Sequence, residues 1–153
     1  GGSLVSSTIT GSDLNDFYDP SGGIELRLGF SFGSIAIEGN LLSVVQAGVP
    51  GFADADFTAT TIDMRLSFSQ TNDPTQVFLL AGLGTYFLED FTGELTGSGF
   101  NLGGGVEHFF NEQVALDVRG VYRSITYDEF NGTPIADVSG DAFTLGVGLN
   151  LHF

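Results

Sequence analysis

The sequence predicts an all-β fold: one eight-stranded antiparallel up-and-down transmembrane β-barrel, a single domain over residues 1–153. Three observations carry this. Segment after segment alternates greasy residues with small or polar ones at a period of two, the mark of a strand with two unlike faces. The connections between segments alternate long and short. All four basic residues, Arg27, Arg65, Arg119 and Arg123, lie within strands on the polar face, and the chain contains no lysine. The stretch from Asp141 to Phe153 shows the pattern most plainly. Phe143, Leu145, Val147, Leu149, Leu151 and Phe153 share one face, and Ala142, Thr144, Gly146, Gly148, Asn150 and His152 share the other.

Composition sets the bounds. The 153 residues suffice for one domain. There is no cysteine, so disulfides and thiolate metal sites are excluded. No apolar run is long enough for a transmembrane helix. Nineteen acids against four bases give a net charge of −15, which would repel nucleic acid. Hydrophobic residues at 42%, with 15 phenylalanines, argue against acidic disorder. Gly1-Gly2-Ser3 reads as a cloning remnant, with any export signal already removed.

In chain order, Leu4 to Thr10 is a weak first strand, followed by a loop over Gly11 to Ser21. Gly22 to Phe32 sets Ile24, Leu26, Leu28, Phe30 and Phe32 against Glu25, Arg27, Gly29 and Ser31. Gly33-Ser34 is a two-residue hairpin turn. Ile35 to Ala47 returns, and its upper half (Leu42, Val44, Val45) breaks alternation, which predicts a bulge. A loop covers Gly48 to Ala55. Phe57 to Gln70 sets Ile62, Met64, Leu66 and Phe68 against Thr61, Asp63, Arg65 and Ser67. A turn over Thr71 to Gln76 leads to a strand over Val77 to Phe91, then a loop containing Glu94. Gly99 to Phe110 carries Asn101, Gly103, Gly105 and Glu107 on its polar face. After a short turn, Val114 to Phe130 carries Asp117, Arg119, Val121 and Arg123 there. A loop with Asn131-Gly132, Pro134 and Asp137 precedes the last strand. Long loops at one end and tight turns at the other are expected of a barrel crossing an outer membrane, with both termini periplasmic.

Alternation does not say which face points out, since a soluble eight-stranded barrel has the same period with grease inside. The arginines and glycines on the polar face place that face in a crowded lumen. Aromatic residues near strand ends fit two interfacial belts. Phe30, Phe32, Phe68, Phe109, Phe110 and Phe153 form one at the short-turn end. Phe57, Phe87, Phe91, Tyr122, Tyr127 and Phe143 form the other toward the loops.

The run from Gly103 to Arg123, G-G-G-V-E-H-F-F-N-E-Q-V-A-L-D-V-R-G-V-Y-R, resembles the penultimate hairpin of the small outer-membrane β-barrel family, the OmpA/OmpX-like group. Ala81 to Tyr86, A-G-L-G-T-Y, is similar to that family's A-G-x-G-x-x-Y strand. Gly148, Leu151 and Phe153 resemble the terminal signal read by the barrel-assembly machinery. The resemblance covers about Gly22 to Phe153 and implies a barrel integral to a bacterial outer membrane, in contact with its lipid. The first strand lacks the family's glycine and aromatic residues. An Asp-x-Arg pair stands in place of the usual Arg/Glu arrangement.

Two sets of residues have chemical potential. Glu25, Arg27, Glu38, Asp63, Arg65, Glu107, Asp117, Arg119 and Arg123 are expected to form a polar network plugging the lumen, because buried charge must pair and guanidinium forks match carboxylates. A small gated pore or carrier for solutes is the alternative. The acids of the loops, Asp13, Asp16 and Asp19 among them, offer oxygen ligands for a divalent cation or a surface for an extracellular ligand. No cofactor is expected. Catalysis is not expected either, since His108 falls on the lipid face and His152 at the terminus, neither beside a serine.

Overall fold

The computed structural model describes residues 1–10, 18–48, 54–69, 74–90 and 92–153. The strands are β1 (Gly2–Thr10), β2 (Tyr18–Asp19), β3 (Ser21–Phe32), β4 (Ile35–Gly48), β5 (Ala55–Ser69), β6 (Thr75–Asp90), β7 (Gly93–Phe109), β8 (Val114–Phe130), β9 (Thr133–Ser139) and β10 (Asp141–Leu151). Eight of them close a ring in the order β1, β3, β4, β5, β6, β7, β8, β10, every neighbouring pair antiparallel, with β10 returning to β1. The short β2 pairs with β4, and β9 extends the hairpin of β8. This is the eight-stranded up-and-down barrel that the sequence predicts.

The register fixes the barrel's shape. A path from Thr58 through directly paired residues runs by Ser43, Ile24, Leu4, Val147, Val118, Val106 and Val77 to Phe68, ten residues further along the same strand. Such a stagger over eight strands requires the strands to tilt by roughly 40° from the barrel axis.

The orientation of the faces is decided by burial. Leu28 and Phe30 are 79% and 73% exposed, whereas Asp117 and Arg119 are 0% and 2% exposed. Grease covers the outside and charge fills the middle, the inverse of a soluble barrel and the arrangement that a bilayer demands. Outward aromatics gather at both rims: Phe30, Phe32, Phe68, Phe110 and Phe153 at the short-turn end, and Tyr122, Phe143 and half-buried Phe87 at the other. Phe57 and Tyr127 do not belong to a belt. Both are fully buried in the lumen, and half-buried Phe109 packs on His152 at the short-turn mouth, ring centroids 5.0 Å apart. Phe91 lies outside the described residues.

The bulge expected near Leu42 is absent. β4 pairs with β3 and β5 without a register shift, and Leu42 and Val44 point inward at 2% and 1% exposure. Alternation breaks there because the lumen itself turns apolar toward the long-connection end, so both faces of β4 are greasy. Irregularities fall instead at Thr96/Gly97 and Tyr127/Glu129.

Two expected loops are shorter than the sequence suggested. β6 and β7 stay paired as far as Asp90 and Gly93, so Glu94 is a strand residue paired with Glu89. The Asp90 carboxylate accepts from Thr92 Oγ1, Thr92 N and Gly93 N, and the Thr92 hydroxyl above all holds it below the usual carboxylate range. The stretch after Phe130 is a hairpin. Asn131 and Gly132 take φ of 50° and 72°, the left-handed pair of a two-residue turn. Asn131 Oδ1 accepts from Glu94 N at 2.9 Å, tying the tips of β7 and β8. Replacing Gly132 by valine should cost about 1–2 kcal/mol locally and speed amide exchange in β9 while leaving exchange in β5 unchanged; equal exchange in β9 would remove this account of the turn.

Candidate functional site

The interior is stacked in layers. Nearest the short-turn end lies a charged layer built from inward positions of β3, β4, β5, β7 and β8, and all nine charged residues expected in the lumen are buried in the interior. Six of them, with Asn150, form a closed circuit. Arg27 Nη2 meets Asp117 Oδ1 at 3.2 Å. Asp117 receives the fork of Arg119, Nε at 2.8 Å and Nη2 at 3.0 Å. Arg119 Nη1 reaches Glu38 at 3.2 Å, and Arg65 Nη1 reaches the other oxygen of Glu38 at 3.4 Å. Arg65 Nη2 donates to Glu107, and Asn150 Nδ2 donates to Glu107 at 2.5 Å. Asn150 Oδ1 accepts from Arg27 Nη2 at 2.9 Å, closing the loop. Glu25 hangs from the ring, bound to Arg27 at 2.8 Å and to Arg123 at 3.6 Å.

The Asp-x-Arg spacing of β8 explains part of this. Residues two apart on a strand point the same way, so Asp117 and Arg119 are side-by-side neighbours on the inner face. Glu25 and Arg27 repeat the device on β3. An aromatic ring sits within the circuit: Phe78 lies 4.0 Å from the Arg65 guanidinium carbon and 5.2 Å from that of Arg119. Glycines on the inner face of β7 make room for it. A Cβ on Gly105 would lie 2.7 Å from the Phe78 ring and 2.2 Å from the Val118 carbonyl oxygen.

Asp63 stands apart. Its ligands are amides: Asn40 Nδ2 at 2.9 Å and Asn101 Nδ2 at 2.7 Å. Tyr86 donates its hydroxyl to Asn101 Oδ1, and Arg123 Nη1 donates to Thr144 Oγ1. This amide layer separates the charged ring from an apolar layer of Leu42, Val44, Phe57, Leu88, Ile125 and Tyr127 nearer the long-connection end. Phe57 and Tyr86 stack there, 6.2 Å between centroids.

Sequence reasoning missed Phe78, Tyr86 and the role of Asn40, Asn101 and Asn150. Parity was the available signal. Asn150 has the parity of Thr144, Asn40 that of Glu38, and Asn101 that of Glu107, so each had to face inward. His152, on the polar face at the terminus, turns into the short-turn mouth, its Nε2 3.1 Å from Glu107 Oε1. His108 faces outward as expected, its Nδ1 3.0 Å from Thr75 Oγ1.

Asp13 and Asp16 lie outside the described residues, so the cation site suggested for them with Asp19 is not seen as a unit; Asp19 is exposed in β2. Gly148, Leu151 and Phe153 are placed at the end of β10. A Cβ on Gly148 would fall 2.1 Å from the Gly2 carbonyl oxygen, so close packing of β1 against β10 already requires glycine there. Leu151 and Phe153 are exposed on the outer face.

A family model, the outer membrane protein beta-barrel domain, matches residues 1–150. The chain belongs to this family. Solved structures of the same architecture include Neisserial surface protein A, 16% identical with a TM-score of 0.68, covering 99% of this chain and 94% of that one. Ail of Yersinia pestis, in complex with the heparin analogue sucrose octasulfate, is 14% identical with a TM-score of 0.62, covering 99% and 95%. The outer membrane enzyme PagL is 11% identical with a TM-score of 0.59, covering 96% and 97%. Comparison with curated proteins gave no match. At these identities the solved structures speak to the fold alone. The protein is thus an integral barrel of the bacterial outer membrane, bathed in its lipid, with a buried Arg/carboxylate network across its interior.

Proposed function

We propose that this outer-membrane barrel is a closed, non-conducting scaffold acting through its exposed connections, with the charged ring as a permanent plug. The observation that carries this is the circuit of ion pairs, closed through the Asn150 amide and capped by an apolar layer. The vestibule at the short-turn mouth, about 230 Å³, is floored by Arg27, Glu38, Arg65 and Glu107. Every arginine in that floor is held by a carboxylate. Opening a path would separate buried charges and also displace Phe57 and Tyr127. Planar-bilayer recordings of the purified protein should therefore show no steady conductance. Discrete channels that disappear on Glu107→Gln or Arg119→Met would replace this reading with the gated pore.

The short-turn end, where Gly1 and Phe153 lie, is assigned to the periplasm, and the outward row ending in Leu151 and Phe153 is offered to the barrel-assembly machinery. Catalysis is not part of the proposal, although PagL shares the fold: His108 is turned to lipid and His152 is engaged by Glu107. The acids at the long-connection rim, with no arginine or lysine on any outward face, favour cationic partners at the surface, divalent ions or basic polypeptide. The polyanion held by Ail would be repelled here. The folded protein should pass through immobilised heparin without retention at low salt; retention would overturn the charge argument.

A further inference from the structure

The outer wall carries a band that the scaffold reading leaves unused. Directly paired outward residues form rows across β5 to β8. Met64, Ala81, Leu102 and Tyr122 make one; Ile62, Leu83, Phe100 and Ser124 the next. The row beyond them is Thr60, Thr85, Ser98 and Thr126, four hydroxyls in register. Then come Thr58, Phe87 and Thr96, and then three carboxylates, Asp56, Glu89 and Glu94. Toward the long-connection end, these strands pass from apolar to hydroxyl to acidic.

The same step occurs on the other side of the ring, where Ser6 follows Leu4 on β1 and Ser43 follows Leu41 on β4. Ser6, Ser43, Thr60, Thr85, Ser98 and Thr126 are all exposed, and their side-chain hydroxyls make no hydrogen bond among the described residues. Because the strands tilt, a register row climbs from β5 to β8, so the hydroxyls occupy a band on the order of 10 Å deep rather than a line. The band is continuous with the lipid-facing wall and, on β5 to β8, follows its predominantly apolar rows, while on β4 exposed Val45 lies beyond Ser43. With the short-turn end assigned to the periplasm, as proposed above, the band lies at the depth of the outer-leaflet headgroups.

We propose that this band binds the uncharged sugar headgroups of outer-leaflet glycolipid. The chemistry selects that occupant. A serine or threonine hydroxyl both donates and accepts, as sugar hydroxyls do, so the pairing is satisfied in either direction. A phosphate headgroup calls for cations, and the outward faces carry no arginine or lysine. The row of Asp56, Glu89 and Glu94 lies just beyond and repels phosphate. Neighbouring strands lie about 4.8 Å apart, so hydroxyls paired across them are close enough to engage one sugar ring together. This inference goes beyond the scaffold reading and does not depend on whether the lumen conducts.

The test reconstitutes the full chain in phosphatidylcholine vesicles containing equal mole fractions of a neutral galactosyl diacylglycerol and of phosphatidylglycerol. The barrel is then excised in polymer-bounded discs, and the lipid retained around it is measured by mass spectrometry. The galactolipid is expected to be enriched several-fold over the bulk and phosphatidylglycerol depleted. The fourfold variant Thr60→Val, Thr85→Val, Ser98→Ala and Thr126→Val should bring the galactolipid back to its bulk share. If that variant fails to fold, Thr85→Val and Ser98→Ala singly should each lower the enrichment. Galactolipid at its bulk share around the native barrel, phosphatidylglycerol retained as strongly, or enrichment unchanged in the folded variants would each overturn the proposal.

Discussion

Replacing Arg119 with methionine is expected to destabilise the folded barrel by about 3–5 kcal/mol, the range for leaving a buried charge without its partner. The side chain is 2% exposed, holds Asp117 by two nitrogens and Glu38 by a third, and lies against Phe78. Methionine fills much of the volume and restores none of the charge. Asp117 would keep only Arg27, and Glu38 only Arg65 at 3.4 Å. Urea titration in detergent micelles, read by the mobility difference between folded and heat-denatured protein on a gel, would show the midpoint fall. A midpoint within error of the native one would mean that the ring does not hold the barrel. Asp63→Asn is the control. Asp63 is bound by amides rather than by arginine, and Asn40 Oδ1 has no partner. The Asn40 amide can turn to offer that oxygen to the new N–H, so the loss should stay near 1 kcal/mol, the ordinary worth of one hydrogen bond.

The contrast between these two carboxylates marks how far the sequence could be read. That Asp63, Asp117 and Arg119 point inward follows from parity alone, because the pleat leaves each strand residue two choices and the outward one meets lipid. Which carboxylate takes which arginine does not follow. It depends on the ten-residue stagger around the ring, which brings Glu38 of β4 to Arg119 of β8, residues that are far apart both in sequence and in strand order. The apolar layer was hidden for a different reason. On β6, V-F-L-L-A-G-L-G has grease on both faces, so its period carries no phase, and Phe78 and Leu80 could not be told from Val77 and Leu79. Phe57 was legible and was misassigned: it shares parity with Asp63 and Arg65, but proximity to a strand end suggested an interfacial belt. The shortness of the connections around Glu94 and Pro134 was not legible, since acids, glycines and a proline read as loop whether or not the strands extend beyond the membrane.

A single added methyl group should separate the two sides of the wall. Gly105→Ala is expected to abolish or severely reduce folding, whereas Gly120→Ala should change stability by no more than about 0.5 kcal/mol, as for surface substitutions away from special features. Both glycines sit mid-strand in the β7–β8 pair, Gly105 opposite Arg119 and Gly120 opposite Gly104. Gly105 faces the lumen, and its new Cβ would lie 2.2 Å from the Val118 carbonyl oxygen and 2.9 Å from the Arg119 Cα. Those are backbone atoms of the adjacent strand, which cannot retreat without breaking the ladder. The third neighbour is the Phe78 ring, wedged between two guanidinium groups. Gly120 faces lipid, and its nearest neighbour is the Phe143 ring at 3.4 Å, ordinary van der Waals contact with a side chain free to move into the bilayer. The yield of heat-modifiable protein after refolding into micelles would separate them. Equal yields would show that the inner face of β7 is looser than the close approach of β8 indicates, and with it the packing that holds Phe78 in the ring.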